Sequence, residues 1–191
     1  LYEGNYIGTN PAGTAVIPNL FYGLSLYGGF PQVGGTVAGA RNLISGNDEA
    51  GVWIWGFSEG STTENRVEGN RIGTQADGTG SVPNGIGVVI QAVSSNHVGG
   101  TASGAGNLIS GNNNDGIEFT GVGSSNNIIQ GNLIGTTASG TAALANSVNG
   151  INFTTSARFT QVGGLGAGQA NLIAFNAGDG VFIGPGPEHR H

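Results

Sequence analysis

The stretch GNRIGT at residues 69–74 recurs with one change as GNYIGT at residues 4–9 and as GNLIGT at residues 131–136. Two further motifs recur in the same way: Asn-Leu-Ile begins at Asn42, Asn107 and Asn171, and Val-Gly-Gly begins at Val33, Val98 and Val162. Successive copies lie about 64 residues apart, which indicates an internally repeated fold. We therefore predict one repeat domain over residues 1–191, with units at 23–86, 87–149 and 150–191 joined with 1–22.

Each unit contains a shorter pattern, Gly-apolar-x-apolar, as in GLSL at residues 23–26, GVWI at 51–54 and GIEF at 116–119. Such alternation is typical of a strand with one buried face. A unit of this size cannot bury its apolar face alone, whereas stacked copies bury a continuous core. Because crossovers between parallel strands are nearly always right-handed, the sequence predicts an all-β, right-handed parallel β-helix (β-solenoid) of about six coils.

The repeats also predict which side chains face the core and which form the corners. The expected inward residues are Val52, Ile54, Val67 and Ile72 in one coil and Val88, Ile90, Val98 and Ile109 in the next. Five asparagines are expected to align at one corner: Asn42, Asn70, Asn107, Asn132 and Asn171. Asparagine tolerates turn geometry and can hydrogen-bond the backbone, so we interpret these residues as structural.

The GNxIGT and NLISGN motifs, with Asn-Gly turns before short strands, resemble the right-handed parallel β-helix repeat proteins of the pectate-lyase-like class. The resemblance covers the whole chain. It implies a secreted or cell-surface protein, often with an adhesive role. Some members of the class cleave or epimerise polysaccharides, so the resemblance also implies such an activity as an alternative.

Composition excludes several classes of function. The chain has 39 glycines, 8% charged residues, no cysteine and a net charge of −6, so it lacks the basic surface that a nucleic-acid partner requires. No apolar run approaches the ~18 residues that span a bilayer, so membrane insertion is not expected. High glycine content with low charge is also compatible with a disordered low-complexity segment, but the regular apolar spacing argues against that alternative.

The two ends of the sequence join into an intact repeat. Residues 180–191 followed by 1–9 align without a gap on residues 116–136. We therefore expect a solenoid that is uncapped at both ends. It would continue head to tail, either within a longer array or through stacked subunits, because unpaired strand edges are templates for further strand pairing. The junction would include Leu1, Tyr2, Glu3, His189, Arg190 and His191. The alternative is an arbitrary boundary.

Polar side chains suitable for catalysis are concentrated in one coil, which contains Glu64, Arg66, Glu68 and Arg71. Arg66, Glu68 and Arg71 are expected to share a face. We interpret this group as an exposed salt-bridge cluster, which contributes little to stability, rather than as a catalytic site. Glu3 and Glu68, at two strand spacings, would lie ~10 Å apart, slightly wide for an inverting glycosidase pair.

Trp53 and Trp55 are two residues apart, so both are expected to point outward, with Tyr27 one coil away. Exposed aromatic rings stack on sugars or contact another protein, and we favour the protein contact. The three histidines form no ligand cluster, so no cofactor or metal is expected. Weak Ca²⁺ binding at Asp48 with Glu49, or at Asp77, is the only metal alternative.

These observations favour a non-enzymatic, extracellular structural protein that associates with itself head to tail, as a filament subunit or as part of a surface or adhesin array. Glycans or cell-surface components are further expected partners. The alternative is a carbohydrate-binding or polysaccharide-modifying β-helix, which an outward acid–base cluster in a groove would favour.

Overall fold

The computed structural model describes residues 1–56, 58–59, 61–154 and 157–184 of the chain. Over this part the strands are, in chain order, β1 (Tyr6–Ile7), β2 (Tyr22–Tyr27), β3 (Gln32–Gly34), β4 (Leu43–Ile44), β5 (Ala50–Trp55), β6 (Ser61–Thr62), β7 (Arg66–Glu68), β8 (Arg71–Ile72), β9 (Ile86–Gln91), β10 (Val93–Ser94), β11 (His97–Gly99), β12 (Leu108–Ile109), β13 (Ile117–Thr120), β14 (Ile128–Gln130), β15 (Leu133–Ile134), β16 (Ile151–Phe153), β17 (Gln161–Val162), β18 (Leu172–Ile173) and β19 (Val181–Ile183). The helical structure in these residues is one 3₁₀ turn, Ala38–Ala40, and none of it is long and apolar enough to cross a membrane.

The strands form three parallel sheets, in which each strand pairs with its equivalents earlier and later in the chain. Sheet 1 has the order β2-β5-β9-β13-β16-β19, sheet 2 the order β3-β7-β11-β14-β17, and sheet 3 the order β1-β4-β8-β12-β15-β18. A short fourth pairing joins β6 and β10. The prediction of an all-β fold with stacked parallel strands is therefore confirmed, and the arrangement is consistent with a β-solenoid.

The core is a set of inward columns in which each side chain packs on its counterpart in the next strand of the same sheet. In sheet 1, for example, Val52 pairs with Val88 and Ile54 with Ile90. All eight residues predicted to face inward are 0% exposed. Full burial of an aliphatic side chain of this size contributes about 1.5–3 kcal/mol, so the columns are the main source of stability.

The predicted asparagine corner is a hydrogen-bonded ladder. The Nδ2 of Asn42 donates to Oδ1 of Asn70 over 2.9 Å, and the same link joins Asn70 to Asn107 over 3.1 Å. Asn107 continues it to Asn132, and Asn132 to Asn171, each over 3.0 Å. At the start of the ladder, the Nδ2 of Asn5 donates to Oδ1 of Asn42 in the same way. Because each buried amide has a partner, the corner avoids the cost of unsatisfied polar groups.

A second ladder, which the sequence analysis did not predict, lines the corner between sheets 3 and 1. Its members are Asn19, Asn47, Asn84, Asn112, Asn146 and Asn176, joined by Nδ2-to-Oδ1 bonds of 2.8–3.0 Å. A third, short ladder joins Asn65, Asn96 and Asn127. The Oδ1 of Asn65 is buried without a hydrogen-bond donor, because the preceding coil has Pro31, which lacks an N–H, beside it.

The glycines that begin the sheet 1 strands are required by close packing between coils. A Cβ on Gly51 would lie 2.7 Å from the carbonyl oxygen of Gly87, and a Cβ on Gly87 would lie 2.4 Å from that of Gly116. The Asn-Gly pairs before some of these strands predicted only turns at this position. The structure instead places them in a column where only a hydrogen fits between successive backbones.

Three long loops cover sheet 3 and stack on one another. Each is closed by an antiparallel bridge, between Thr9 and Val16, Thr74 and Ser81, and Thr136 and Ala143. The amide of Ala76 donates to the carbonyl of Gly13, and the amide of Ala138 to that of Gly78. The loops therefore continue the stacking outside the core and form one wall of a cleft on sheet 3.

Candidate functional site

Four aromatic rings on β2 and β5 form a continuous stack, which we call the aromatic ridge: Tyr22, Trp53, Trp55 and Tyr27. The two indoles are nearly parallel, at 10°, with centroids 4.7 Å apart. Tyr22 lies 4.4 Å from Trp53, and Tyr27 lies 4.2 Å from Trp55. Tyr27, which was predicted to lie one coil away, pairs with Trp55 on the neighbouring strand, and Tyr22 is an additional member.

The ridge is fixed by hydrogen bonds as well as by ring contacts. The Nε1 of Trp53 donates to Oε1 of Gln91 over 2.8 Å, and the Nε1 of Trp55 donates to Oγ of Ser25 over 2.9 Å. Both tryptophans are only partly exposed. Because each indole contacts two other aromatic rings, less of its face is left for a partner to stack on. This geometry disfavours the sugar-stacking interpretation of Trp53 and Trp55.

The predicted polar cluster is divided between two sheets. Arg66 and Glu68 lie on β7, where Nε of Arg66 donates to Oε1 of Glu68 over 2.8 Å. Glu68 is 5% exposed, so it is a buried partner and not the exposed carboxylate that was expected. Glu64 is exposed and lines a shallow cleft with Arg66 and His97. Burial and the charge of Arg66 lower the pKa of His97.

Arg71 does not share this face, which corrects the prediction. The chain turns at Gly69 and Asn70, so that Arg71 lies on β8 in sheet 3, around the corner from β7. The error has a physical cause: residue spacing along one strand was extended across a corner. Arg71 instead lies near Arg41, which precedes the equivalent strand of the preceding coil.

Arg41 and Arg71 line a cleft between the long loops and the short loops of sheet 3. One part is lined by Gly4, Tyr6, Ala38, Gly39, Arg41, Leu43, Arg71 and Ala76, and a second part continues past Arg71 to Leu108, Gly131 and Leu133. The Nε of Arg41 donates to the carbonyl oxygen of Gly69 over 3.2 Å. Burial, followed by the charge of Arg41, lowers the pKa of Arg71. Sequence analysis missed this site because residues 41 and 71 are neighbours only across coils.

Two carboxyl groups near β13 have different environments. Asp115 is buried and accepts hydrogen bonds from the amide of Asn149 and from Nδ2 of Asn152, each over 2.8 Å. Glu118 is half-buried, and burial together with the Asp115 charge raises its pKa. A carboxyl with a raised pKa near a second carboxyl is an arrangement that acid–base catalysis uses, although buried structural pairs also produce it.

The residues proposed for a head-to-tail junction are described at one end only. Leu1, Tyr2 and Glu3 are exposed, and Tyr2 pairs with Val33 of sheet 2. His189, Arg190 and His191 lie outside the described residues.

Within the described ranges no group of three or more His, Cys, Asp or Glu residues is placed to hold a metal ion. Asp77 accepts a hydrogen bond from the amide of Thr79 over 2.9 Å.

No protein-family model matches the chain, and comparisons with curated proteins and with solved structures find no match either. The functional interpretation therefore depends on the residues and their geometry alone.

Proposed function

We propose that the protein is a non-enzymatic, extracellular structural protein, a right-handed parallel β-helix of about six coils that extends head to tail by pairing with a second copy of itself. The same contacts would join successive segments of a longer array. The crossover rule for parallel strands supports the right hand, and the six strands in each of sheets 1 and 3 support the coil number.

The observation that carries the proposal is the common direction of the two long asparagine ladders. In every link the donor amide belongs to the earlier residue and the acceptor oxygen to the later one. Among the described residues, Oδ1 of Asn5 and of Asn19 accepts no hydrogen bond. The Nδ2 groups of Asn171 and Asn176 donate to backbone carbonyls, but neither donates to a further asparagine as the other members of the ladders do. One end of the stack thus offers acceptors and the other offers donors.

This polarity favours head-to-tail contact over the symmetric alternatives. A head-to-tail stack places the donors of Asn171 and Asn176 against the acceptors of Asn5 and Asn19. A head-to-head stack would oppose acceptor to acceptor, which leaves polar groups unsatisfied at about 1–3 kcal/mol each. A heterologous contact of this kind repeats without closing and gives filaments.

The apolar surface at the C-terminal end supports the same contact. Val181 and Ile183 continue inward columns of sheet 1 but are 40% and 77% exposed. At the other end, Ile7 and Leu24 are only partly buried, and Leu20 and Phe21 are exposed. Unpaired strand edges that carry apolar side chains are templates for further strand pairing.

Continuation of the existing register specifies the contacts. Val181 would pair with Leu24 of the second copy, and Leu172 with its Tyr6. Six strand spacings of ~4.8 Å give an axial step of about 29 Å per copy. Between two copies, the long loops would lack the hydrogen bond that joins successive loops within one chain. In the later loops the amide of Ala76 or Ala138 donates this bond to the preceding loop, but the equivalent residue of the first loop is Pro11, which has no N–H.

Directed crosslinking tests the polarity, because the native chain has no cysteine. Leu172→Cys and Tyr6→Cys are prepared as separate proteins and mixed under oxidising conditions. We expect disulfide-linked pairs to form faster in the mixture than in either protein alone, since a parallel register brings the two positions within disulfide range. Crosslinking that is fastest in the single Tyr6→Cys protein would contradict head-to-tail stacking.

A second measurement tests association itself. Ile183→Lys places a charge in the proposed contact without disturbing a buried side chain, and Val122→Lys is the control in an exposed mid-stack turn. By sedimentation and electron microscopy, the parent and Val122→Lys should form filaments with a repeat near the expected step, and Ile183→Lys should remain monomeric. A parent protein that is monomeric at all concentrations tested would refute the proposal.

A carbohydrate-active β-helix is the second candidate, and one observation favours it: the aromatic ridge and the Asp115–Glu118 pair lie on the same sheet. In this candidate Glu118 would act as the acid. Sustained polysaccharide turnover that is lost in Glu118→Gln would support it over the structural role.

A further inference from the structure

The Arg41–Arg71 cleft brings two of the five basic residues of an acidic protein into one place. Among the described residues, no carboxylate forms an ion pair with either arginine, and no hydrogen-bond acceptor for the Arg71 guanidinium is found. The charge of Asp77 acts on Arg71 without forming an ion pair, and the Asp77 carboxylate accepts a hydrogen bond from the amide of Thr79. The cleft therefore holds two cations whose donors are largely unused.

Retaining such a pair is unfavourable in the absence of an anion. Arginine stays charged across the physiological pH range, so the two groups repel each other, and partial burial of Arg71 adds a desolvation cost. Arg41 is moreover held in position by its bond to Gly69. A guanidinium pair with free, forked donors is well suited to a planar or tetrahedral oxyanion.

The shape of the cleft indicates a ligand larger than an ion. Its floor follows consecutive strands of sheet 3 from Tyr6 through Leu43, Arg71 and Leu108 to Leu133. Four strand spacings correspond to about 19 Å. Tyr6 is 50% exposed and lines the same part of the cleft as the two arginines. The positive charge thus lies within an elongated cleft that has an aromatic side chain near one end.

We propose that Arg41 and Arg71 bind the carboxylate or sulfate group of an acidic glycan, with Tyr6 contacting the adjoining sugar. This site is on sheet 3, away from the aromatic ridge, and it does not depend on head-to-tail association. It would attach the stack to an acidic polysaccharide through a lateral surface.

Binding of four probes to the parent protein tests this assignment: a sulfated disaccharide, its unsulfated neutral counterpart, inorganic sulfate and a short poly-aspartate peptide. We expect saturable binding of the sulfated disaccharide in titration calorimetry, weakened by added salt, and none of the neutral sugar. Arg41→Gln and Arg71→Gln should each weaken binding about tenfold, because each removes a charge-assisted hydrogen bond.

The matched control is Arg158→Gln, which removes an exposed arginine between β16 and β17 and should leave the affinity unchanged. Arg71→Lys keeps the charge but loses the forked donors, so it should bind with intermediate affinity. Thermal unfolding of every variant checks that the fold is retained.

Four outcomes would overturn the assignment. The first is equal affinity of the Arg41, Arg71 and Arg158 variants. The second is inorganic sulfate binding as tightly as the sulfated disaccharide, which would assign the cleft to a free ion. The third is preferential binding of poly-aspartate, which would assign it to an acidic peptide. Absence of saturable binding by every probe would also refute it.

Discussion

Phe119 in the middle of the stack and Ile183 at its C-terminal end occupy the same inward column of sheet 1, yet their surroundings differ completely. Phe119 is 0% exposed, its neighbour Phe153 is 7% exposed, and Ile183 is 77% exposed. Phe119 and Phe153 stack with ring centroids 4.6 Å apart. Burial in this fold is thus provided by the strands before and after a residue, and at Ile183 the described residues include only the strand before it.

The backbone follows the same rule. A Cβ on Gly87 would approach the carbonyl oxygen of Gly116 to 2.4 Å, whereas a Cβ on Gly180 would meet nothing closer than Cγ2 of Ile173, at 3.6 Å. Equivalent positions therefore carry different constraints according to their place in the stack. This difference between the middle and the end can be tested with matched substitutions.

The largest expected effect is on the core. Ile54→Asp should destabilise the fold by about 4 kcal/mol or more, because it buries a charge without a partner. Ile183→Asp should change the stability of the single chain by less than about 1 kcal/mol, because the new side chain can remain in water. Chemical unfolding at low protein concentration measures both. Equal losses would show that Ile183 is buried in solution and that the end contact is already occupied.

A smaller effect is expected for the glycine column. Gly87→Ala should cost about 3 kcal/mol, because the carbonyl of Gly116 and the coil that carries it must move. The free energy of unfolding of Gly180→Ala should lie within about 0.5 kcal/mol of that of the parent, because the new methyl group makes ordinary contacts. Thermal unfolding compares the two variants. Similar melting temperatures would contradict the close approach between coils.

The sequence was sufficient to predict the features that repeat. The inward residues, the stacked parallel strands and the ladder from Asn42 to Asn171 all follow from a fixed spacing. The second ladder was equally accessible, because the last Asn of each NLISGN-type motif (Asn47, Asn112, Asn176) recurs with the same period.

Features that depend on corners and on contacts between coils were not predictable in the same way. Arg71 was assigned to the wrong face because the position of the corner at Asn70 decides its sheet. The mutual stacking of Trp53 and Trp55 depends on rotamers, which spacing does not determine. Phe30 and Phe159 adopt positive φ angles of 74° and 56° while remaining exposed, which aromatic residues rarely do. Nothing in the sequence indicated this conformation.

The outward columns extend the comparison to ionisable groups. Glu118 follows Trp53 and Val89 in the outward column of sheet 1 and is half-buried between neighbouring strands, whereas Phe182 at the end of this column is 41% exposed. Stacking therefore removes water from side chains on the outer surface as well. For Glu118, this burial and the nearby Asp115 charge favour the protonated carboxyl and raise the pKa.

The smallest predicted effect follows from that shift. A carboxyl with a raised pKa in the folded state binds its proton more tightly when folded. Stability is therefore lost as the pH rises from the unfolded-state value of 4.5 through the raised value, and the loss is complete above it. Glu118→Gln removes this loss, so it should be more stable than the parent by about 0.5 kcal/mol at pH 7 and equal to it at pH 3.

Urea unfolding at the two pH values measures the difference, with Glu49→Gln as the control, because Glu49 is exposed to solvent on its turn. The control should behave like the parent at both pH values. If Glu118→Gln is still more stable than the parent at pH 3, the gain in stability must arise from packing or hydrogen bonding of the new amide. The ionisation of Glu118 would then not be the cause of the difference.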